Sequence, residues 1–372
     1  MPKIQRIILS GGGTGGHIYP ALSIYHTMKA QNPNLECLYI GTEKGLEGTL
    51  VPEMGLDFQT IPIQGFKRSL SLDNLKTLWY MMTSTQKAKR LIQDFQPDVI
   101  IGTGGYVCAP VLLAGSRLNI PTLIHEQNSV AGLTNKFLSR YVDIIATCFQ
   151  AVHADFAKYS QKIRFTGNPR AQEMASIESQ AGILTQQFDL DEDKPTILVF
   201  GGSRGAPAIN EAAFGAIDHW RQADYQVILA TGQVHYDDYA EKLASTQSGK
   251  YDNIKLVPYI KNMPQVFQAI DLVICRSGAT TLTELMALGK PSILIPSPYV
   301  TANHQEFNAR ALVDQYAADM IKQSELTSQQ LIDKVEALMA DPAKLKRMSQ
   351  NAREMAVTDA TDRIIQALEE IV

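Results

Sequence analysis

The amino-acid sequence predicts an α/β protein built from two Rossmann-like domains, each with a parallel sheet. Short β-rich runs alternate with helix-length segments along the chain, which is typical of parallel strands joined by crossover helices. A glycine-rich turn between an apolar run and a helical segment occurs twice, at residues 11–17 and 201–206. The length of 372 residues also favours about two domains.

The first domain is predicted over residues 1–165, and its first glycine-rich turn opens a helix. Such a turn lets the backbone approach a phosphate and directs a helix N-terminus toward it. His17 closes the turn, and the positive end of the helix dipole disfavours its cationic form, so we expect a neutral ring that can donate or accept a proton. The predicted strands are Ile7–Leu9, Cys37–Ile40, Val99–Ile101, Thr122–Ile124 and Ile144–Ala146.

Two more polar turns follow strands of this domain. One is glycine-rich and runs from Gly102 to Tyr106, and the other runs from His125 to Asn128. The carboxyl ends of parallel strands meet at one edge of an open α/β sheet, where ligands bind. We therefore expect these turns and the first glycine-rich turn to form one ligand site.

The second domain is predicted over residues 166–349, and the polar segment at 173–194 within it is predicted as a connecting helix and linker before the strands begin. Its second glycine-rich stretch, Cys275 to Thr281, opens a helix that carries Glu284. This arrangement indicates a seat for a diphosphate, with Glu284 about one turn further on as an acceptor for ribose hydroxyls. The predicted strands are Thr196–Phe200, Gln226–Ala230, Ile254–Val257, Leu272–Ile274 and Ser292–Ile295.

The net charge of −4 argues against a general nucleic-acid binder, but the charge is unevenly distributed. Residues 1–165 hold 16 basic and 11 acidic side chains, against 18 and 27 in the remainder. An anionic partner on the first half is therefore plausible. Within residues 66–92, Lys67 and Arg68 precede an apolar stripe at helical spacing, which is either core or a patch for anionic lipid. That stripe contains Leu75, Trp79 and Met82.

Several patterns argue against a resident metal or a secreted protein. The four cysteines have no CxxC spacing, so we expect free thiols, and no His and Cys cluster has zinc spacing. Asp189-Leu190-Asp191 matches a D-x-D string but lies in an acidic linker, so we treat it as a false match. The start of the chain lacks a secretory-signal pattern, and no apolar run approaches the roughly 20 residues of a membrane span.

A nicotinamide-dependent oxidoreductase is a competing interpretation. Gly11, Gly13 and Gly16 fit the G-x-G-x-x-G pattern, and Glu43 follows the second strand as a candidate ribose acid. The pattern alone is weak. The second glycine-rich turn and His17 both favour a different kind of enzyme.

Six motifs occur along the chain in order. They are Gly-Gly-Gly-Thr-Gly-Gly-His at 11–17, Gly-Gly-Tyr-Val at 104–107, His-Glu-Gln-Asn at 125–128, Gly-Asn-Pro at 167–169, Gly-Gly-Ser-Arg-Gly-Ala at 201–206 and Cys-Arg-Ser-Gly-Ala at 275–279. Together they resemble the lipid I N-acetylglucosaminyltransferases of glycosyltransferase family 28, in order and spacing over nearly the whole chain. This resemblance implies a GT-B fold, in which two Rossmann-like domains face a central cleft and a C-terminal helix at about 350–372 returns to the first domain.

The resemblance also implies the reaction. N-acetylglucosamine passes from UDP-N-acetylglucosamine, with inversion, to the 4-hydroxyl of undecaprenyl-pyrophosphoryl-N-acetylmuramoyl-pentapeptide (lipid I), which yields lipid II and UDP for peptidoglycan. No cofactor is obligatory. The implied location is peripheral, on the anionic cytoplasmic face of the bacterial cell membrane, with cell-wall and division proteins as further partners and no nucleic acid. A transferase for another lipid acceptor and a UDP-sugar sensor or scaffold are the remaining alternatives.

Site residues follow from the resemblance position by position. His17 is a candidate base or acceptor contact, and Glu126 is a second candidate base. Arg170 is displaced by one residue from the position of its equivalent in several relatives. The acceptor residues are Gly13, His17, Gly104, Gly105 and Tyr106. The donor residues are Thr14, Gly15, Gly16 and Asn128 beside the sugar, Arg170, Ser203, Ala279 and Thr280 at the diphosphate, Ile260 at uracil, Glu284 at ribose and Gln305 at the sugar hydroxyls.

Overall fold

The structure is a computed structural model that describes residues 4–64, 73–202, 204–245 and 251–372, with the backbone alone for 73–78. The chain divides into two compact units, Met1–Glu173 with Val357–Val372, and Met174–Ala356. The first change of unit falls inside a helix and the second falls between two helices. Both lie a few residues after the predicted boundaries at 165 and 349.

Strands and helices alternate through both units. The strands are β1 (Arg6–Gly11), β2 (Glu36–Gly41), β3 (Asp57–Thr60), β4 (Val99–Gly104), β5 (Thr122–Glu126), β6 (Ile144–Thr147), β7 (Ile163–Phe165), β8 (Thr196–Phe200), β9 (Gln226–Ala230), β10 (Ile254–Val257), β11 (Leu272–Cys275), β12 (Ser292–Leu294) and β13 (Asp319–Met320). The α-helices are α1 (Gly15–Gln31), α2 (Glu47–Glu53), α3 (Asp73–Phe95), α4 (Cys108–Arg117), α5 (Leu133–Leu138), α6 (Pro169–Ser176), α7 (Ile183–Phe188), α8 (Pro207–Trp220), α9 (Tyr236–Ser245), α10 (Met263–Ala269), α11 (Ala279–Leu288), α12 (His304–Val313), α13 (Ser328–Met339), α14 (Pro342–Met355) and α15 (Ala360–Glu369). Short 3-10 helices cover Gln150–Lys162, Thr301–Asn303 and Gln323–Glu325.

The first unit is a parallel sheet with helices on both faces. Its described residues form seven strands in the order β3-β2-β1-β4-β5-β6-β7, and each pair is parallel. Alternate residues of β1 enter separate cores, with Ile7 on one face and Ile8 on the other. Ile364 and Leu368 of α15 are fully buried in the core that contains Ile7. The C-terminal helix is therefore part of the first unit.

The second unit repeats this architecture. Its described strands form a six-stranded sheet in the order β10-β9-β8-β11-β12-β13, again parallel throughout. Ile197 and Val199 of β8 share a core with Ile209 of α8 and Val335 of α13. Counted within each unit, the first six strands follow the same 3-2-1-4-5-6 order, which is that of the Rossmann fold. The predicted fold class, two Rossmann-like parallel-sheet domains, is confirmed.

Candidate active site

The two glycine-rich turns of the first unit are joined at the carboxyl edge of its sheet. The Gly12 N–H donates to the carbonyl oxygen of Gly104 at 3.2 Å. Gly105 has a φ of +84°, and a Cβ there would lie 2.5 Å from the Gly12 carbonyl oxygen. Only glycine fits this position, because a side chain would meet backbone that has no room to move. The sequence therefore specifies a close approach of the two turns.

His17 lies in the first turn of α1, between these turns. Its Nδ1 is 2.8 Å from the Gly12 carbonyl oxygen, and that oxygen can only accept, so Nδ1 carries the proton. In a neutral imidazole the other nitrogen, Nε2, is then an acceptor. The ring packs against Gly104, where a Cβ would lie 2.6 Å from the His17 Cδ2. This geometry suits a group that takes a proton or accepts a hydrogen bond at Nε2.

A buried carboxylate, that of Glu47, lies beside the first glycine-rich turn. One oxygen accepts the Gly13 N–H at 2.9 Å, and the other accepts the N–H and hydroxyl of Thr42 at 3.1 and 2.6 Å. Sequence reasoning missed Glu47 and considered Glu43, which is exposed. The available indication was the position of Glu47 between Gly45 and Gly48, just after a buried strand.

The third polar turn, after β5, is tied to the others through its side chains. Gln127 donates from Nε2 to the Thr103 carbonyl at 2.5 Å and lies 2.9 Å from the His125 Nδ1. The His125 Nε2 is 3.0 Å from the Gly167 carbonyl oxygen, which it meets as a donor. Burial lowers the pKa of His125 to about 4, so the ring is neutral near pH 7. His125 and Gln127 hold this turn from inside the unit.

Glu126, the second candidate base, is occupied by its own loop. Its carboxylate accepts hydrogen bonds from the N–H and Nδ2 of Asn128 and from Gly132 N–H and Asn135 Nδ2. A carboxylate offers about four lone-pair positions, and these donors use them. The arrangement favours a structural role for Glu126 over the predicted role as a base, while the half-buried Asn128 is the residue that it positions.

The remaining predicted residues of the first unit lie at or near this edge. Thr14 precedes α1 and is exposed, Gly15 and Gly16 begin the helix, and Tyr106 is 40% exposed. Arg170, on α6, pairs with Glu173 at 2.5 Å, and its guanidinium lies 5.5 Å from the ring centre of Tyr19. The structure therefore brings the residues predicted to contact the acceptor, and those predicted to contact the donor sugar from this unit, to one sheet edge.

The second unit has a cavity of about 450 Å³ at the end of β8. Gly201, Gly205, Ala206, Arg276 and Gln305 line it. Arg276 is fixed by hydrogen bonds to the Ile295 carbonyl at 3.0 Å and to the Gln323 Oε1 at 2.7 Å. The Gln305 Oε1 accepts the Ser297 N–H at 2.9 Å, and this bond fixes the orientation of the side-chain amide.

The N-terminus of α11 lies after β11, the strand next to β8. Its N-cap, Gly278, makes no side-chain capping bond, so the first backbone N–H groups are suited to an anion. The Thr280 hydroxyl is buried without a hydrogen-bond partner in the described part of the chain. Glu284 lies further along the helix and is half-buried, and Ile260 is buried just after β10. Ser203 lies outside the described residues.

The predicted membrane patch is described only in part. Trp79 and Met82 of α3 are 56% and 58% exposed, so the core interpretation is wrong for these two side chains. Lys67, Arg68 and the side chain of Leu75 lie outside what the structure describes. Within the described residues, no helix has both the length and the apolar character needed to cross a membrane. The same residues contain no group of three His, Cys, Asp or Glu side chains placed to hold a metal ion.

Comparison with known proteins identifies the family. Residues 7–147 match the glycosyltransferase family 28 N-terminal domain, and residues 196–364 match the glycosyltransferase family 28 C-terminal domain. The chain belongs to glycosyltransferase family 28. Both matches include the glycine-rich turns described above, so the family assignment and the candidate site rest on the same segments.

Relatives within family 28 match over nearly their full length. A Listeria monocytogenes protein named UDP-N-acetylglucosamine–N-acetylmuramyl-(pentapeptide) pyrophosphoryl-undecaprenol N-acetylglucosamine transferase is 51% identical, over 98% of this chain and 99% of the relative. A Lactiplantibacillus plantarum protein of the same name is 48% identical, over 99% of this chain and 100% of the relative. The crystal structure of Acinetobacter baumannii MurG is similar with a TM-score of 0.76 and 26% identity, over 98% of this chain and 99% of that chain.

Proposed function

We propose that this chain transfers N-acetylglucosamine from UDP-N-acetylglucosamine to the 4-hydroxyl of the N-acetylmuramoyl unit of lipid I, with inversion, to give lipid II and UDP. The observation that carries the proposal is the 51% identity, over 98% of the chain, to a relative named for this transfer. The site agrees with it, because each unit presents glycine-rich turns at the carboxyl ends of its central strands, where phosphate-bearing ligands bind.

The second unit takes the nucleotide sugar in this proposal. Glu284 accepts hydrogen bonds from the ribose hydroxyls, and the backbone of Ile260 recognises uracil. The diphosphate meets the first turn of α11, at Ala279 and Thr280, together with Ser203. The amide NH₂ of Gln305 donates to the sugar hydroxyls, since its oxygen is held by the Ser297 N–H.

The first unit takes lipid I. Gly13, Gly104, Gly105 and Tyr106 contact the acceptor, and His17 Nε2 accepts the proton of the attacking 4-hydroxyl. That oxygen displaces UDP from the anomeric carbon in one step, which inverts its configuration. Thr14, Gly15, Gly16 and Asn128 contact the transferred sugar. The charge on departing UDP is met by helix N-termini and Arg170, and no cofactor takes part.

Contact with the membrane is the third part of the proposal. Trp79 and Met82 present exposed apolar surface on α3, and Leu75 and the basic Lys67 and Arg68 belong to the same stretch of sequence. Aromatic and basic side chains together favour the interface of an anionic leaflet. We infer peripheral attachment to the cytoplasmic face of the cell membrane, where cell-wall and division proteins are candidate partners.

The test is transfer of radiolabelled sugar from UDP-N-acetylglucosamine to a synthetic short-chain lipid I, with UDP release followed in parallel. We expect labelled disaccharide product that requires both substrates. Release of UDP without transfer would contradict the acceptor and direct the search to other lipids. If folded protein forms neither labelled product nor UDP, that result would contradict the proposal that the chain is a transferase.

A further inference from the structure

We propose that Glu47 is a positioning residue for His17 and acts through the single peptide group that joins Gly12 to Gly13. Glu47 has no role in the reaction proposed above, and the hydrogen bonds of its carboxylate go to Gly13 and Thr42 rather than to the imidazole. The expected effect of Glu47 on turnover rests on the proposed function, whereas its expected effect on the tautomer of His17 does not. The inference follows from two hydrogen bonds that share one peptide plane.

The two bonds leave opposite ends of the same planar group. The N–H of Gly13 donates to the Glu47 Oε2 at 2.9 Å. The carbonyl oxygen of Gly12, in the same peptide, accepts from the His17 Nδ1 at 2.8 Å. Because a peptide group is rigid and planar, the orientation imposed at one end is transmitted to the other. Carboxylate, peptide and imidazole therefore form one continuous chain of hydrogen bonds.

The carboxylate is itself held in place. Glu47 is fully buried, and its second oxygen accepts two hydrogen bonds from Thr42, at 3.1 and 2.6 Å. A fixed negative charge that accepts from the Gly13 N–H polarises the peptide and makes the Gly12 carbonyl a stronger acceptor. That carbonyl then keeps the proton of His17 on Nδ1. The partner of one ring nitrogen sets the role of the other, so Nε2 stays an acceptor.

This role differs from simple packing of the glycine loop. A Cβ on Gly12 would lie 2.4 Å from the Glu47 Oε1, and one on Gly45 would lie 2.2 Å from Oε2, so the volume of the side chain also matters. Glu47→Gln keeps that volume but replaces one accepting oxygen with an NH₂ group that faces donors. Glu53→Gln, on the exposed end of the same helix, is the matched control.

The first measurement is the ¹⁵N spectrum of the imidazoles in the unliganded wild-type protein, with His17 assigned from a His17→Gln variant. We expect a protonated Nδ1 and an unprotonated Nε2 for His17. In Glu47→Gln we expect this preference to weaken. Turnover with short-chain lipid I should fall about tenfold or more, while KM for UDP-N-acetylglucosamine changes less than about twofold. Glu53→Gln should match wild type in all three readouts.

Several outcomes would overturn the inference. A wild-type His17 that carries its proton on Nε2 would do so whatever the activity, and it would leave the proposed transfer reaction intact. An unchanged His17 tautomer in folded Glu47→Gln would leave Glu47 with a packing role alone. The same conclusion would follow if turnover fell and KM for UDP-N-acetylglucosamine rose by the same factor. If Glu47→Gln does not fold, Thr42→Val removes the 2.6 Å bond to the second oxygen. This variant should also lower turnover more than it changes KM for UDP-N-acetylglucosamine, but by a smaller factor than Glu47→Gln. If it behaves like wild type, the inference is overturned.

Discussion

Glu126 and Asn128 are joined by two hydrogen bonds, from the backbone N–H and the side-chain Nδ2 of Asn128 to one carboxylate oxygen, at 3.1 and 3.2 Å. The other oxygen accepts from Gly132 and Asn135 at 2.9 and 2.8 Å. A carboxylate with these four donors shapes the loop after β5 and holds Asn128 in place. These bonds favour a structural role for Glu126, which positions Asn128.

The first prediction compares variants of these two residues. Glu126→Gln puts an NH₂ group opposite buried donors, so we expect the free energy of unfolding to fall by about 2–4 kcal/mol. Asn128→Ala should cost less than about 1 kcal/mol of stability and yet lower turnover about tenfold or more. Denaturant unfolding and initial rates measure both, with Asp94→Asn on the exposed face of α3 as a control. If Glu126→Gln is as stable as wild type but has no turnover, that result would instead support Glu126 as the catalytic base.

The central strands could be predicted from the sequence, but of the four strands that end the described sheets only Ile254–Val257 was predicted. Central strands of a parallel sheet are covered on both faces, so their sequences are continuous apolar runs, as Thr196–Phe200 is. The missed strands Asp57–Thr60, Ile163–Phe165 and Asp319–Met320 are short and half-exposed, and each ends its sheet. An edge strand needs less apolar sequence, because fewer of its side chains are covered.

The turns of the candidate site were likewise easier to predict than the side chains that hold them in place. At Gly105 the approach of the Gly12 backbone leaves room for glycine alone, whereas a Cβ at Gly12 or Gly104 would meet the side chain of Glu47 or His17. The glycines themselves are visible in the sequence. Glu47 reaches Gly13 across 34 residues, and Gln127 reaches Thr103 across 24. Nothing local in the sequence identifies such partners, because folding of the sheet brings them together.

The second prediction tests the ribose contact. Glu284→Ala removes a charged acceptor for two hydroxyls, and a hydrogen bond to a charged group contributes about 1.5–3 kcal/mol, so KM for UDP-N-acetylglucosamine should rise about tenfold or more. Initial rates at varied donor concentration measure this change. Glu241→Ala, on the exposed side of α9, should leave KM unchanged. A wild-type KM in Glu284→Ala would refute the ribose assignment.

The third prediction concerns the exposed tryptophan of α3. Trp79→Glu removes apolar surface and adds a negative charge, so partitioning onto phosphatidylglycerol vesicles should weaken by about 2 kcal/mol, or about thirtyfold. Sedimentation with vesicles measures the partitioning. Activity on short-chain lipid I in detergent should remain near wild type. Tyr316→Glu, which changes a 79% exposed aromatic in the second unit, controls for charge alone. Unchanged vesicle binding of Trp79→Glu would exclude this surface as the membrane contact.

The fourth prediction uses the buried imidazole of His125. Burial lowers its pKa to about 4 in the folded protein, whereas the unfolded chain has a pKa of about 6.5. Above both values the ring is neutral in both states and the pKa difference has no effect on stability. As the pH falls from about 6.5 to about 4, the unfolded chain takes up a proton that the folded protein does not. Stability is therefore lost on acidification, by up to about 3 kcal/mol from this residue.

His125→Gln isolates that contribution, because the other titrating groups are shared with wild type. The variant should be less stable near neutral pH, since it loses the bonds to Gly167 and Gln127. Its deficit should shrink as the pH is lowered from about 7 to about 4.5, because it has no ring to protonate on unfolding. Urea unfolding at several pH values gives the comparison, with His26→Gln, an exposed residue of α1, as the control. Parallel stability curves for wild type and His125→Gln would show that the buried ring does not resist protonation.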